Sequence, residues 1–213
     1  MTAGDTVLRY TLKERVVHWL AALTYIYLLL TGLAFFSPNL WWLAVVLGGG
    51  PTTRFWHPIV GLAFLLTVAW MWIAWRRDMR LTETDRRWAQ AIADYIRNED
   101  ENLPAVERFN SGQKQFFWVM FWGGCALLAS GMVLWFSDGL PWSLRWLRYA
   151  AVLVHAVAFL FTVAGFIVHV YMGTAVVRGG FSSVIRGEVS RAWARTHHRL
   201  WLERIEREGS TPK

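Results

Sequence analysis

Six histidines are the residues of this chain best able to do chemistry, and four of them sit where an ionisable side chain is costly. His18, His57, His155 and His169 lie in or at the ends of four stretches that contain no Asp, Glu, Lys or Arg. An ionisable group in a membrane span usually faces the bundle interior and marks function. His155 and His169 are fourteen residues apart. At about 100° per residue they return to within roughly 40° of one helix face, roughly 21 Å apart along the axis. His18 opens the first stretch and His57 the second, which runs the opposite way, so depth pairs His18 with His169 and His57 with His155. Two stacked pairs of imidazoles on facing helices suit two b-type haems, each iron with two His ligands. With both axial positions filled by protein, electron transfer is favoured over oxygen chemistry. Zinc fits less well, because it takes four tetrahedral ligands and each pair brings two, with no Cys, Asp or Glu nearby in the spans. Covalent c-type haem is excluded, since the chain has no Cys-x-x-Cys-His.

The elements that must hold these histidines follow from composition. Of 213 residues, 55% are hydrophobic and 17% charged, too apolar for a soluble domain and for a disordered chain. A single cysteine, Cys125, rules out a disulfide scaffold. The charge-free stretches run about Val16–Phe36, Trp56–Trp75, Phe116–Phe136 and Ala150–Val177. Each reaches the roughly 20 apolar residues that a helix needs to cross a bilayer. Strands of a membrane barrel would be about half as long and would alternate polar with apolar. The expected fold is therefore an all-α membrane protein, a four-helix transmembrane bundle over residues 1–177, followed by a cytoplasmic amphipathic tail over 178–213.

Of the 22 Lys and Arg, nineteen fall in residues 1–15, 76–115 and 178–213, and three in the two other loops. The positive-inside rule puts both termini and the middle loop in the cytoplasm, as in a multi-pass protein of a bacterial inner membrane. The net charge of +7 thus reports topology. It is not read as nucleic-acid binding, because the basic residues are spread over three segments. No short apolar core with a cleavage site precedes the first span, which would itself serve as the targeting signal. Trp41, Trp42, Trp56, Trp75, Trp142 and Trp146 fall near span ends, where indole rings favour the headgroup level.

Outside the spans, Thr84 to Ile96 is expected to form a short surface helix with Trp88, Ile92, Tyr95 and Ile96 on one side. Glu188 to Glu206 carries Trp193, His197, Leu200, Trp201 and Ile205 at helical spacing among many Arg. That predicts a surface-lying C-terminal helix, on the membrane or against a partner. His197 and His198 are read as surface residues of this tail. Gly32, Gly61, Gly123, Gly124, Gly131 and Gly165 lie in the spans, where small residues allow close helix packing.

Several motifs make the chain resemble the cytochrome b (gamma) subunits of membrane-bound formate dehydrogenases over nearly its whole length. They are Arg15-Val16-Val17-His18-Trp19, Arg54-Phe55-Trp56-His57-Pro58, Phe109-Asn110-Ser111-Gly112-Gln113-Lys114, Leu153-Val154-His155-Ala156, His169-Val170-Tyr171-Met172 and the tail Gly187 to Arg195. The histidine motifs are shared with hydrogenase-type cytochromes b; the Asn110 loop and the Val189-Ser190-Arg191-Ala192-Trp193-Ala194 tail favour formate dehydrogenase. The resemblance implies two haems b, with iron ligands His18 and His169 on the cytoplasmic side and His57 and His155 on the outer side. It also implies a quinone site, for menaquinone or ubiquinone, lined by Asn110, Gly112, Gln113 and His169. The plainer reading of Asn110-Ser111-Gly112 is a helix cap.

The partners implied are an iron–sulfur (beta) subunit and a molybdenum- or tungsten-containing catalytic (alpha) subunit that oxidises formate. This chain would then be the membrane anchor and the electron-transfer, quinone-reducing subunit of that oxidoreductase. Two other readings compete. One is the cytochrome b of a nickel–iron hydrogenase or related oxidoreductase. The other is a haem-free, His-lined metal or proton transporter, against which stands the lack of acidic residues in every span. Lys13, Arg15 and Arg54 are weaker candidates to neutralise haem propionates.

Overall fold

A computed structural model describes residues 5–97, 99 and 103–210. In chain order the elements are β1 (Thr6–Leu8), α1 (Leu12–Phe36), α2 (Trp42–Val46), α3 (Gly50–Trp75), α4 (Glu83–Gln90) and α5 (Ile92–Arg97). They continue with α6 (Ser111–Trp135), α7 (Arg145–Tyr171), a π-helical turn at Met172–Val176, α8 (Phe181–Ile185), β2 (Glu188–Ser190), α9 (Arg191–His197) and α10 (Arg199–Ser210). Four helices are long and apolar enough to cross a membrane: Leu12–Phe36, Gly50–Trp75, Ser111–Trp135 and the run Trp142–Val176. They cover the four charge-free stretches to within one residue.

Each long helix starts in polar sequence, before the apolar stretch it carries. At α1 the Thr11 amide donates to Glu14 Oε2 (2.9 Å) and the Glu14 amide to Thr11 Oγ1 (3.3 Å). At α6 the Gln113 amide donates to Asn110 Oδ1 (3.0 Å) and the Asn110 amide to Gln113 Oε1 (3.1 Å). These reciprocal caps satisfy first-turn amides that have no partner within the helix. At the other kind of start, Gly48 and Gly49 take φ of 97° and 91°, a left-handed turn that side chains resist, and α3 begins directly after them. Pro58 lies inside α3, which continues through it although Pro has no N–H for the carbonyl four residues back.

The chain divides into two compact units. One comprises residues 16–74 and 118–166, the apolar lengths of α1, α3, α6 and α7. Its interior holds Ala21, Tyr25, Thr31, Ala34, Phe64, Val68, Ser130, Ala158 and Thr162. The Tyr25 ring packs on Phe64 and Phe166, with centres 5.5 and 5.0 Å apart. A Cβ at Gly123 would collide with the Thr162 methyl, so glycine lets α6 lie against α7 there. Leu23, Leu66, Ile73 and Phe161 are all more than 60% exposed, a surface that suits lipid and not water.

The other unit comprises the described residues of 5–15, 75–117 and 167–210. β1 and β2 pair antiparallel, Val7 opposite Val189. Val7, Val189, Ala194, Trp201 and Leu202 form a buried cluster. Trp88, Tyr95, Val106, Val176 and Val177 form a second. The structure differs here from the sequence expectations. The tail is a strand and two helices, not one helix from Glu188 to Glu206, and its apolar side packs on the chain's own first strand. The break falls at His198 (φ −148°, ψ 53°), which is 1% exposed and so is no surface residue. His198 Nδ1 donates to the Glu107 carbonyl (2.8 Å), and Arg9 Nη2 donates to His198 Nε2 (3.0 Å). The Arg9 guanidinium, itself buried, sits over the rings of Trp201 (4.9 Å), Tyr10 (5.3 Å) and Trp193 (5.3 Å). Likewise the Thr84–Ile96 helix is split at Ala91. Its Trp88 and Tyr95 are buried while Ile92 and Ile96 are exposed.

Burial first, and the Arg9 charge second, hold the His198 imidazole well below its usual range. The unfolded chain therefore takes up a proton here that the fold refuses. The stability involved is present above about pH 6.5 and is lost as pH falls, by about 1.4 kcal/mol per pH unit at most. Thermal unfolding of the purified chain at pH 7 and pH 5 should show this loss, and His198→Gln should show a smaller one.

Candidate functional site

α3 and α7 bring the His57 and His155 rings close together in the same unit. Their ring centres are 6.4 Å apart, with ring planes 53° apart. An imidazole nitrogen holds a metal at about 2 Å, so two rings with one metal between them have centres about 6 Å apart once the ring radii are added. The observed spacing therefore fits one iron between the two rings.

The surroundings are built for these rings. Thr31 Oγ1 on α1 lies 2.6 Å from His57 Nδ1, and Ser130 Oγ on α6 lies 2.9 Å from His155 Nδ1. Both hydroxyl groups are nearly closed off from the surface. Phe35 meets the His57 ring edge-on, with centres 5.5 Å apart. A Cβ on Gly131 would sit 3.3 Å from His155 Cε1, tighter than an ordinary contact, so glycine keeps that ring's flank clear. The donor set is two imidazoles, with no group of three or more His, Cys, Asp or Glu among the described residues that could hold a bare metal ion. Two axial nitrogens suit a metal whose other positions are already filled, as they are in haem.

Of the remaining predicted ligands, His18 belongs to the same unit as His57 and His155, and His169 to the other. His18 lies in the early turns of α1, its ring edge-on to Trp19 at 5.6 Å. His169 lies near the end of α7, and its ring stacks on Phe116 with centres 4.2 Å apart and planes within 3°. That stack orients the imidazole plane.

Of the predicted quinone residues, Asn110 and Gln113 form the reciprocal cap of α6. Asn110 is buried, and its Nδ2 donates to the Tyr95 hydroxyl at 3.4 Å. A Cβ on Gly112 would meet Asn110 Oδ1 and Trp88 at 3.5 Å, ordinary contact, so the position does not demand glycine for space. Lys114, one turn on, is buried against Asp85. Arg15, a weaker propionate candidate, donates to the Ile185 carbonyl at 2.5 Å, while Lys13 and Arg54 are exposed.

Sequence reasoning did not single out Thr31, Ser130 or Phe116. A signal for the first two was present: Thr31-Gly32 and Ser130-Gly131 place a hydroxyl and a glycine together in otherwise apolar spans one and three.

Residues 9–187 match the family described as prokaryotic cytochrome b561. The chain is similar to the formate dehydrogenase cytochrome b556(fdo) subunit of Escherichia coli K12, 30% identical over 208 residues, which covers 97% of each chain. It is 28% identical to the nitrate-inducible formate dehydrogenase cytochrome b556(Fdn) subunit of the same strain, over 97% of this chain and 95% of that one. It is 31% identical to the formate dehydrogenase cytochrome b556 subunit of Haemophilus influenzae, over 93% of this chain and 84% of that one.

Proposed function

The chain belongs to the prokaryotic cytochrome b561 family, and from that premise we propose that it is the membrane-embedded cytochrome b subunit of a formate dehydrogenase. It carries electrons from an iron–sulfur subunit on the periplasmic side across the inner membrane to a quinone reduced near the cytoplasmic side. Formate oxidation belongs to a molybdenum- or tungsten-containing partner. The names of the relatives and the 97% coverage of this chain support the formate dehydrogenase reading. The Lys and Arg distribution supports cytoplasmic termini.

Haem b, when bound, supplies a one-electron carrier. In this reading two haems are held in residues 1–177, with 178–213 as the cytoplasmic tail. His57 and His155 hold the outer one, and their 6.4 Å ring spacing is the observation that carries the proposal. His18 and His169 hold the other. Two protein ligands on each iron would leave it no open position, which favours electron transfer over oxygen chemistry.

Quinone binds beside the start of α6, where Asn110, Gly112 and Gln113 and the imidazole of His169 offer hydrogen-bonding groups. Reduction to the quinol takes two electrons from the chain and two protons from the cytoplasm. Inward electron movement with proton uptake on that side builds membrane potential.

The test is a dithionite-reduced minus oxidised spectrum of the purified chain with pyridine haemochrome quantification. Two b haems per chain are expected. Folded protein, made with adequate haem, that binds none would overturn the reading. Co-purification with iron–sulfur and molybdenum- or tungsten-containing subunits checks the partner assignment.

A further inference from the structure

We propose that Thr31 and Ser130 are the positioning residues of the outer haem, a matched pair of neutral acceptors that set the direction of both axial imidazoles and the haem's redox potential. The inference rests on the haem reading above, and it concerns residues that bind no metal themselves.

The proton arithmetic is short. A hydroxyl has one proton to give and two lone pairs to accept with. Thr31 Oγ1 lies 2.9 Å from the Tyr27 carbonyl of its own helix, and Ser130 Oγ lies 2.6 Å from that of Ala126. Carbonyls only accept, so each hydroxyl proton goes to the helix backbone, a bond common for Thr and Ser in apolar helices. Each hydroxyl oxygen is then left to accept from the neighbouring imidazole, across 2.6 Å at His57 and 2.9 Å at His155, where the Leu127 carbonyl is a second acceptor. Both histidines therefore carry their proton on Nδ1. Both Nε2 atoms present a bare lone pair, the state a metal requires. The two sites reach this by the same device on different helices. Ligands come from α3 and α7, acceptors from α1 and α6, so the centre needs one residue from each of the four spans.

The chemistry of the acceptor matters. A group accepting from the far nitrogen of a ligating imidazole raises that ligand's basicity and fixes its ring plane. A carboxylate would do so strongly and favour ferric iron. A hydroxyl already committed to a carbonyl is a neutral, modest acceptor. It orders the ring while leaving the imidazole uncharged, which keeps the potential higher than a carboxylate would. Removing the hydroxyl takes away even this modest donation, so the potential should rise further.

Thr31→Val separates the hydroxyl from the methyl, since it keeps the shape and loses the acceptor. Thr31→Ser does the reverse. Ser130→Ala and Ser130→Thr are the matching pair on α6. Each is made in the full chain with its partner subunits. Haem is counted first, and both haems are then titrated potentiometrically and examined by ferric EPR, which reports the imidazole planes. Thr31→Val and Ser130→Ala should each move one of two haems to higher potential, by about tenfold in the ferric–ferrous equilibrium or about 59 mV. Its EPR signal should change, the second haem should stay unmoved, and Thr31→Ser and Ser130→Thr should restore the parent values. Loss of one haem in Thr31→Val with retention in Thr31→Ser also supports the assignment. Full haem content with unchanged potentials and EPR in both hydroxyl-less variants would overturn it and leave the haem reading standing. Loss in Thr31→Ser as well would overturn it for Thr31, by assigning the role to the methyl. A parent chain without haem overturns the functional reading itself.

Discussion

His155→Ala is expected to leave a chain that binds one haem b where the parent binds two, seen as half the pyridine haemochrome absorbance per chain. In the proposed reading the two imidazoles, with ring centres 6.4 Å apart, share one metal, so removing either ligand empties the same site. His57→Ala should give the same single remaining haem. The decisive variant is the double one. If His57 and His155 serve one iron, His57→Ala with His155→Ala still retains one haem. If each belonged to a different iron, the double variant would retain none. His18→Ala should remove the haem that survives in the double variant, as expected for the second pair. The spectral shape of the survivor, compared between His155→Ala and His18→Ala, assigns each band to a site.

The second large effect is on stability. Lys114 Nζ donates to Asp85 Oδ2 (2.8 Å) and to the Arg80 carbonyl (3.0 Å), and both side chains are more than 90% buried. Asp85 Oδ2 also accepts from the Thr82 amide (2.7 Å) and hydroxyl (2.8 Å), which caps α4. One carboxylate oxygen thus ties the start of α4 to the first turn of α6. Asp85→Leu strands the Lys114 charge among apolar groups and removes the cap. A broken buried pair costs about 3–5 kcal/mol, and a lost cap about 1 more. Asp85→Leu with Lys114→Met should cost less than Asp85→Leu alone, because no charge is left unpaired. Thermal unfolding, with tryptic cleavage of the 76–110 segment as a local probe, measures both. A double variant as unstable as the single one would show that the cap, not the stranded charge, carries the loss. The segment that loosens ends at Asn110, whose side chain caps α6 with Gln113, so in the proposed reading quinone reduction should fall with it while haem content holds.

Much of this was legible in the chain. The four spans were, because a charge-free run of about 20 apolar residues can satisfy its backbone in lipid only as a helix. The pairing of His57 with His155 was legible too, from their depth near the starts of the second and fourth spans, which run the same way. The helix starts were partly so. Asn110 with Gln113, and Thr11 with Glu14, are three-residue patterns readable as caps without any structure. The tail departs from its helical periodicity in two ways: the run is broken at His198, and its apolar side is covered by the chain itself. Trp201 and Leu202 are buried with Val7, almost two hundred residues earlier, and His198 turns inward to Arg9 and Glu107. Periodicity reports an apolar face but does not name what covers it.

The sequence by itself determined that this is a four-span membrane protein with histidines at two depths, because span length and charge placement are local properties set by the bilayer. Only the tertiary structure decided which way two of those histidines point. Thr31 is 26 residues from His57 and Ser130 is 25 from His155, each on a different helix from its partner. A hydrogen bond between helices depends on their rotation and offset, to within a few tenths of an ångström. Those come from the packing of all four helices together, and no single stretch of sequence carries them.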